Sequence, residues 1–375
     1  MMKRKFFVTA YTFDDLLLVP NYSSILPKDT SLKTKLTRRI SLNIPIISAA
    51  MDTVTSYEMA KTMTLLGGVG VIHKNMSVDE QSNIVKQLKN YVVDTEKYPN
   101  VCLTTDNKLL TAAGIGVSSD VNERVNALVD AGVDVLFIDS AHGHTFNVIE
   151  LLKKLKSTYP HIDVVAGNIA TGVAAEQLIE AGADAIKVGI GPGSICTTRV
   201  VSGIGVPQMT AIFDCYEVAS KYNVPIIADG GIRYSGDMVK ALAGGADVVM
   251  VGSLLAGTDE APGEKIIINN KEYKQYRGMG SLSAMQKGSA DRYFQSNNQK
   301  FVPEGIESLI PYRGKTEDIV YQMTGGIRSG LAYCGSVDLK MLKEKANFIV
   351  QTVNGLKEAH PHDLEIIKES PNYSK

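Results

Sequence analysis

The chain has no C-x-x-C pair, no apolar run of membrane-spanning length and no excess of either charge, and each absence removes a class of function. Its four cysteines, Cys102, Cys196, Cys215 and Cys334, stand far apart. That spacing suggests neither a zinc site nor a disulfide framework, and the default for each thiol is a small buried hydrophobe. No apolar run reaches the ~18 residues of a membrane helix, and the basic opening Met1–Lys5 is not followed by a signal-peptide core. The expected address is therefore cytoplasmic, with no membrane partner. A formal net charge of -1 argues against a general nucleic-acid surface. A dinucleotide fingerprint is also missing, because Gly189-x-Gly191-x-Gly193 lacks the G-x-G-x-x-G spacing. No cofactor can be deduced from the residues alone.

What is present is an ordinary globular composition, 44% hydrophobic and 21% charged over 375 residues, with enough apolar content for a large core. Eight short runs, 44–49, 69–73, 112–117, 133–139, 162–167, 185–189, 225–229 and 248–252, are continuously apolar, as in strands covered on both faces. Each is followed by a helical stretch. Ala131-Gly132-Val133-Asp134, Ala181-Gly182-Ala183-Asp184 and Gly244-Gly245-Ala246-Asp247 form a weak repeat that ends a helix on a glycine cap and launches a strand. The expected fold is α/β, a single (β/α)8 TIM barrel over residues 1–375; strand count alone leaves an open doubly wound sheet as the alternative. Two stretches fall outside the repeat. Residues 90–111 form a connection with a loop at Tyr98-Pro99-Asn100, and the Gly-, Ser-, Asn- and Gln-rich stretch 258–333 is expected to be a mobile flap or lid.

Two places suggest chemistry. Lys187–Arg199 leaves the sixth run rich in glycine and puts Cys196 at the C-terminal mouth, where barrel enzymes place their active sites. A thiol there can add to an electrophilic carbon of a heterocycle, or it can be inert. The turns Ala228-Asp229-Gly230-Gly231 and Val251-Gly252-Ser253 fall after runs seven and eight, where barrels commonly bind phosphate through backbone N–H groups. Asp229 is placed to bond a ribose diol, or simply to cap its turn.

The segment Gly189–Arg199, continued to Gln208, resembles the cysteine loop of the IMP dehydrogenases. Ser48–Thr55, Asp139-Ser140-Ala141-His142-Gly143-His144, Tyr276-Arg277-Gly278-Met279-Gly280-Ser281 and Asp291-Arg292-Tyr293-Phe294 agree with it. The likeness runs from about Thr12 to Tyr373. It implies NAD-dependent oxidation of inosine monophosphate to xanthosine monophosphate, a committed step of guanine nucleotide synthesis, through a thioimidate on Cys196 that water hydrolyses. The resemblance gives Thr198 contact with the adduct and the attacking water. It makes Arg292 the base for that water, with Tyr293 beside it; a guanidinium is normally always protonated, so this role requires desolvation. The implied phosphate contacts are Ser194, Gly231, Gly252, Ser253 and Tyr276. Asp229 takes the ribose, Met279, Gly280 and Glu304 approach the base, and Gly230, Arg277 and Gly278 complete the nucleotide contacts. For NAD the implied residues are Asp139, Gly189, Ile190 and Gly191.

A monovalent cation, usually potassium, is implied at carbonyls of Gly191, Gly193 and Cys196, with Glu358, Ala359 and His360 of a neighbouring subunit completing the set in a homotetramer. Ala359 replaces the usual serine, a change that a carbonyl ligand survives. His360 and His362 otherwise read as a metal pair or, with Pro361 between them, a plain surface turn. The paired CBS regulatory module that most members insert after the second strand's helix is missing, naturally or by removal. The nearest rival is a GMP reductase, which has a shorter lid without the Arg-Tyr pair. A phosphate-binding isomerase or lyase, or a non-catalytic nucleotide scaffold, would have no use for the thiol.

Overall fold

All eight apolar runs become strands, and the strands alternate their side chains between two cores. The computed structural model describes residues 8–295, 299–367 and 370–373; the basic opening Met1–Lys5 lies outside them. The strands are β1 (Ile46–Ser48), β2 (Val69–Ile72), β3 (Ala112–Ile115), β4 (Val135–Asp139), β5 (Asp163–Ile169), β6 (Ala185–Val188), β7 (Ile226–Asp229) and β8 (Val248–Val251). They pair in parallel, and β8 pairs with β1 to close the barrel. Closure rules out the open doubly wound sheet.

Ile47, Val69, Val71, Val135, Phe137, Val165, Ile227 and Val248 fill the barrel interior. Their neighbours Ile46, Ile72, Leu136, Ile138, Val164, Ile186, Ile226 and Val249 point outward against the helices. Because side chains alternate along a strand, a run buried on both sides must be apolar at every position, which is why these strands carry no polar stripe. The helices are α1 (Tyr57–Leu65), α2 (Val78–Lys89), α3 (Val121–Asp130), α4 (Phe146–Thr158), α5 (Gly172–Glu180), α6 (Gln208–Ala219), α7 (Ser235–Ala243) and α8 (Thr316–Tyr333). The last packs between α7 and α1 and completes the ring. Residues 316–333, which the sequence grouped with the lid, therefore belong to the barrel. Polar spacing there reflects a helix with one face in water, not a loop.

The rest of that stretch does rise from the barrel mouth. It contains an antiparallel sheet of β9 (Ile266–Ile268), β10 (Lys271–Arg277) and β11 (Glu307–Pro311), with a short helix Leu282–Gln286 and a 3-10 turn Ser289–Tyr293 between the last two strands. The connection 90–111 holds one isolated bridge, Leu103 to Leu109.

The repeated Gly-x-Asp unit has a structural purpose. Gly132, Gly182 and Gly245 all adopt positive φ just past a helix, the conformation glycine alone enters without cost. The following aspartates then reach across to the preceding strand. Asp134 accepts the Thr111 N–H at 2.7 Å, Asp184 the Val164 N–H at 2.8 Å and Asp247 the Ile226 N–H at 2.9 Å. Each also accepts a lysine ammonium at 2.6 Å, from Lys89, Lys156 and Lys343 respectively. These bonds satisfy strand N–H groups at the bottom of the barrel, far from the mouth. Asp184→Ala is expected to lower the unfolding free energy by about 1–3 kcal/mol, because a buried amide and an ammonium lose their acceptor. Chemical denaturation of Asp184→Ala, Lys156→Met and the double variant should show the two changes to be less than additive.

Candidate active site

At the top of the barrel the inward positions turn from apolar to charged. Continuing the alternation, Phe137 is followed on its face by Asp139, Ala185 by Lys187 and Ile227 by Asp229. Lys187 is only 2% exposed. Its ammonium donates to Asp139 Oδ1 at 3.0 Å, to Asp229 Oδ2 at 2.7 Å and to Asn168 Oδ1. A register shift in β5 between Gly167 and Ile169 brings Asn168 inward, and its amide donates to Asp229 Oδ2 and the Gly189 carbonyl, both at 2.8 Å. A bulge beside a site commonly re-aims one side chain in this way. Lys187 and Asn168 were not singled out from the sequence. The available signal was a lysine inside an otherwise apolar strand, which must be paired if it is buried.

Above this layer lies a cleft of about 880 Å³. The sequence-derived residues that line it are Asp139, Gly189, Gly191, Gly193, Ser194, Cys196, Asp229, Gly230, Gly231, Gly252, Ser253, Tyr276, Gly278, Met279, Arg292, Tyr293 and Glu304. The two glycine turns thus share one cavity with the thiol. Tyr276 is buried and hydrogen-bonded to Ser194, and burial holds its phenol above the usual value.

Cys196 is partly exposed, while Cys102, Cys215 and Cys334 are buried. Burial pushes the Cys102 thiol up to about 11 and raises those of Cys215 and Cys334 as well, so all three are poor nucleophiles. The Cys196 thiol donates to Thr198 Oγ1 at 3.2 Å, and the Thr198 hydroxyl donates to Glu304 Oε2 at 2.7 Å. Backbone bonds stitch this loop to the lid: Thr197 N–H to the Glu304 carbonyl at 2.9 Å and Ile306 N–H to the Ile195 carbonyl at 3.0 Å. Arg292 reaches the cleft from the 3-10 turn and ion-pairs with Asp139. Its Nε is buried without a hydrogen-bond partner among the described residues. Tyr293 lies against Gly280, where a Cβ would come within 2.7 Å of the ring; only glycine fits. Burial raises the Tyr293 phenol, and the adjacent Arg292 pulls the other way.

Several sequence-derived residues lie elsewhere. Arg277 is turned from the cleft: Nε donates to Asp52 Oδ1 at 3.1 Å and Nη1 to Ser283 Oγ at 2.7 Å. A guanidinium so engaged, and only 7% exposed as a residue, ties the lid to the β1 loop and does not line the cleft. Ile190 lines a second cleft with His142, Thr171 and Gly203–Val206. Glu358, Ala359 and His360 sit at the end of the exposed helix Val353–Glu358, with His360 Nδ1 3.2 Å from the Tyr373 hydroxyl. His362 Nδ1 lies 2.9 Å from the His360 carbonyl. No group of three His, Cys, Asp or Glu side chains able to hold a metal occurs among the described residues.

Fold and cleft together define a (β/α)8 barrel with a phosphate-type glycine cradle and an accessible thiol sharing its mouth. Residues 10–362 match the family described as IMP dehydrogenase / GMP reductase domain, and the chain belongs to that family. It is 53% identical to the inosine-5'-monophosphate dehydrogenase of Cryptosporidium parvum, covering 97% of this chain and 98% of that protein. The Borreliella burgdorferi protein of the same name is 49% identical over 97% and 99% of the two chains. The Halalkalibacterium halodurans one is 44% identical over 100% of both. That last alignment spans 484 positions against 375 residues here, so the relative carries more than a hundred residues that this chain lacks.

The lid's anchor gives a pH prediction. His73 follows β2, and its Nδ1 accepts the Asn75 N–H at 3.1 Å, while the Asn75 amide donates to Asp52 Oδ2 at 2.7 Å. Burial, aided by the Arg277 and Arg124 charges and opposed by Asp52, lowers His73 to about 4 from 6.5. Protonation would also break the Asn75 bond. A depressed histidine favours the fold fully above the unfolded value and loses that contribution as pH falls from about 6.5 towards 4. Urea unfolding of the parent should therefore weaken by a few kcal/mol at most over this window. His73→Gln should flatten the dependence.

Proposed function

We propose that this protein is an IMP dehydrogenase, oxidising inosine monophosphate at C2 to xanthosine monophosphate with NAD as oxidant. The observation that carries this reading is the accessible Cys196 thiol in the same cleft as the Gly230–Gly231 and Gly252–Ser253 turns. Backbone N–H groups of these turns, with Ser194 and Tyr276, bind the phosphate. Asp229, fixed by Lys187 and Asn168, accepts from the ribose hydroxyls, and Met279, Gly280 and Glu304 border the base. Held so, purine C2 meets the Cys196 sulfur, which adds as thiolate after its proton passes towards Thr198 and Glu304. Loss of hydride from C2 leaves a thioimidate on Cys196. Water then bonds to C2, the C2–S bond breaks, and the thiol is restored. Arg292, half-buried beside Tyr293 and ion-paired with Asp139, is the residue we assign to take the water's proton, once its own proton has passed to Asp139. Dividing one difficult step into two is the usual gain from a covalent adduct.

The residues fit a nicotinamide dinucleotide. The second cleft, about 620 Å³ and bordered by Ile190, His142, Thr171 and Gly205, adjoins the first along the Gly189–Gly191 rim. Asp139, Gly189, Ile190 and Gly191 would hold it, and when bound it supplies the hydride acceptor. A monovalent cation would be held by the Gly191, Gly193 and Cys196 carbonyls. Within one chain His360 packs against Tyr234 and Tyr373, so the part proposed for Glu358, Ala359 and His360 calls for a neighbouring subunit, as in the homotetramer that the resemblance implies. The missing internal residues correspond to the CBS module, and regulation through such a module should be absent.

GMP reductase activity is disfavoured by Arg292 and Tyr293 standing in the cleft. Intact-mass analysis after mixing with inosine monophosphate and NAD should show one nucleotide adduct mapping to Cys196. Cys196→Ser should abolish the adduct and reduce NADH production by about a thousandfold or more. NADPH consumption with guanosine monophosphate, and none of NADH production from inosine monophosphate, would establish the reductase instead.

A further inference from the structure

The 3-10 turn Ser289–Tyr293 is held by a buried ion pair outside the cleft. Lys74 extends from the loop after β2 and meets Asp291, the residue before Arg292. The two side chains are 8% and 5% exposed, and Lys74 is the one ion-pair partner of Asp291 among the described residues. Asp291 Oδ2 is buried with no hydrogen-bond partner among the described residues. It lies over Gly116, just past β3, where a Cβ would come within 2.0 Å of it and within 2.9 Å of Lys74 Cε. The pocket for this pair exists because Gly116 has no side chain. The turn is also held by the Ala141 N–H to the Arg292 carbonyl at 3.0 Å, by the buried Ser289 hydroxyl donating to the Met279 carbonyl and by the Arg292–Asp139 pair.

Resting on the function proposed above, we propose that Lys74 is a positioning residue, whose ion pair with Asp291 seats the Arg292 turn in the cleft for hydrolysis of the cysteine adduct. A buried carboxylate that loses its only cation is strongly destabilised where it stands, and the cheapest relief is for it to leave. Asp291 sits on a single turn between a short helix, packed down by Ala284 and Met285, and a loop, so its departure carries Arg292 with it while the barrel stays intact. Cys196, Thr198 and the glycine turns are anchored by bonds outside that turn, and Asp139, which would lose Arg292, keeps its bond from Lys187. Addition of the thiolate and loss of hydride therefore need no help from Lys74. Attack of water on C2, with cleavage of the C2–S bond and transfer of a water proton to Arg292, does.

The test is Lys74→Met, followed in two reactions. Single-turnover NADH formation should stay within about threefold of the parent, whereas decay of the mass-labelled Cys196 adduct should slow by roughly tenfold or more. Hydrogen exchange at 288–294 should rise in the same variant. Gly116→Ala, which keeps both charges but fills their pocket, should reproduce the split. In a cycle with Asp291→Asn the effects on adduct decay should be strongly non-additive. Unchanged adduct decay with unchanged exchange would overturn the latch, and so would an equal loss in both reactions, as from general destabilisation. Absence of any Cys196 adduct in the parent would defeat the functional reading instead; exchange at 288–294 would still report whether the pair seats the turn.

Discussion

The mouth of this barrel depends on one buried ammonium. Lys187 lies inside the closed sheet, where an unpaired charge would cost more than the whole domain's net stability allows. It is tolerated because Asp229 from the neighbouring strand β7 and Asp139 from β4, two strands away on the other side, both come within hydrogen-bond distance. The dependence runs both ways: without Lys187 two carboxylates would face each other across a desolvated interior. Asn168 fixes the second of them through its amide, and Arg292 balances the first from above. Four charges of alternating sign thus span three strands and the lid. The carboxylates are held rigid before any ligand enters, which is what a site needs to recognise hydroxyl groups without first reorganising.

The two ends of the barrel use aspartate for different work. At the bottom, Asp134, Asp184 and Asp247 each accept a strand amide and a lysine, closing hydrogen bonds that parallel strands leave open at their starts. At the top, Asp139 and Asp229 end their strands facing inward. The difference comes from position along a two-residue alternation. An aspartate just before a strand faces its neighbour's backbone, whereas one at the last inward position faces the cavity. Stability is concentrated at one end and chemistry at the other.

Much of this was legible in the chain. Eight largely apolar runs, each followed by a helix, pointed to strands buried on both faces, and the closure that the count left open is what makes them a barrel. The glycine turns after the seventh and eighth runs and the cysteine after the sixth fall together since all eight strands point the same way. What could not be read was side-chain direction in irregular segments. Arg277 sits in a motif that borders the cleft, yet its guanidinium turns to Asp52, a partner distant in sequence. Lys187 and Asn168 were hidden for a related reason: a charge in a strand declares itself only when its partners are known, and a bulge has no fixed pattern. The eighth helix was hidden by the lid inserted before it, which broke the strand-helix rhythm.

The lid is joined to the barrel by two kinds of bond, and they divide its labour. Around Cys196 the joint is backbone to backbone, through Ile195, Thr197, Glu304 and Ile306, so the register of Glu304 against Thr198 is set as firmly as in a sheet. Around Arg292 two ion pairs, with Asp139 and between Lys74 and Asp291, act beside single hydrogen bonds from Ala141 and Ser289. Backbone ladders break only when a segment unfolds, whereas a turn held by side-chain charges can come away as one unit when those charges find other partners. Thr198 and Glu304 are therefore held against the thiol by the fold itself. Under the proposed function Arg292 attends only while its turn is seated, which suits a group that the proposal needs in the hydrolytic half alone.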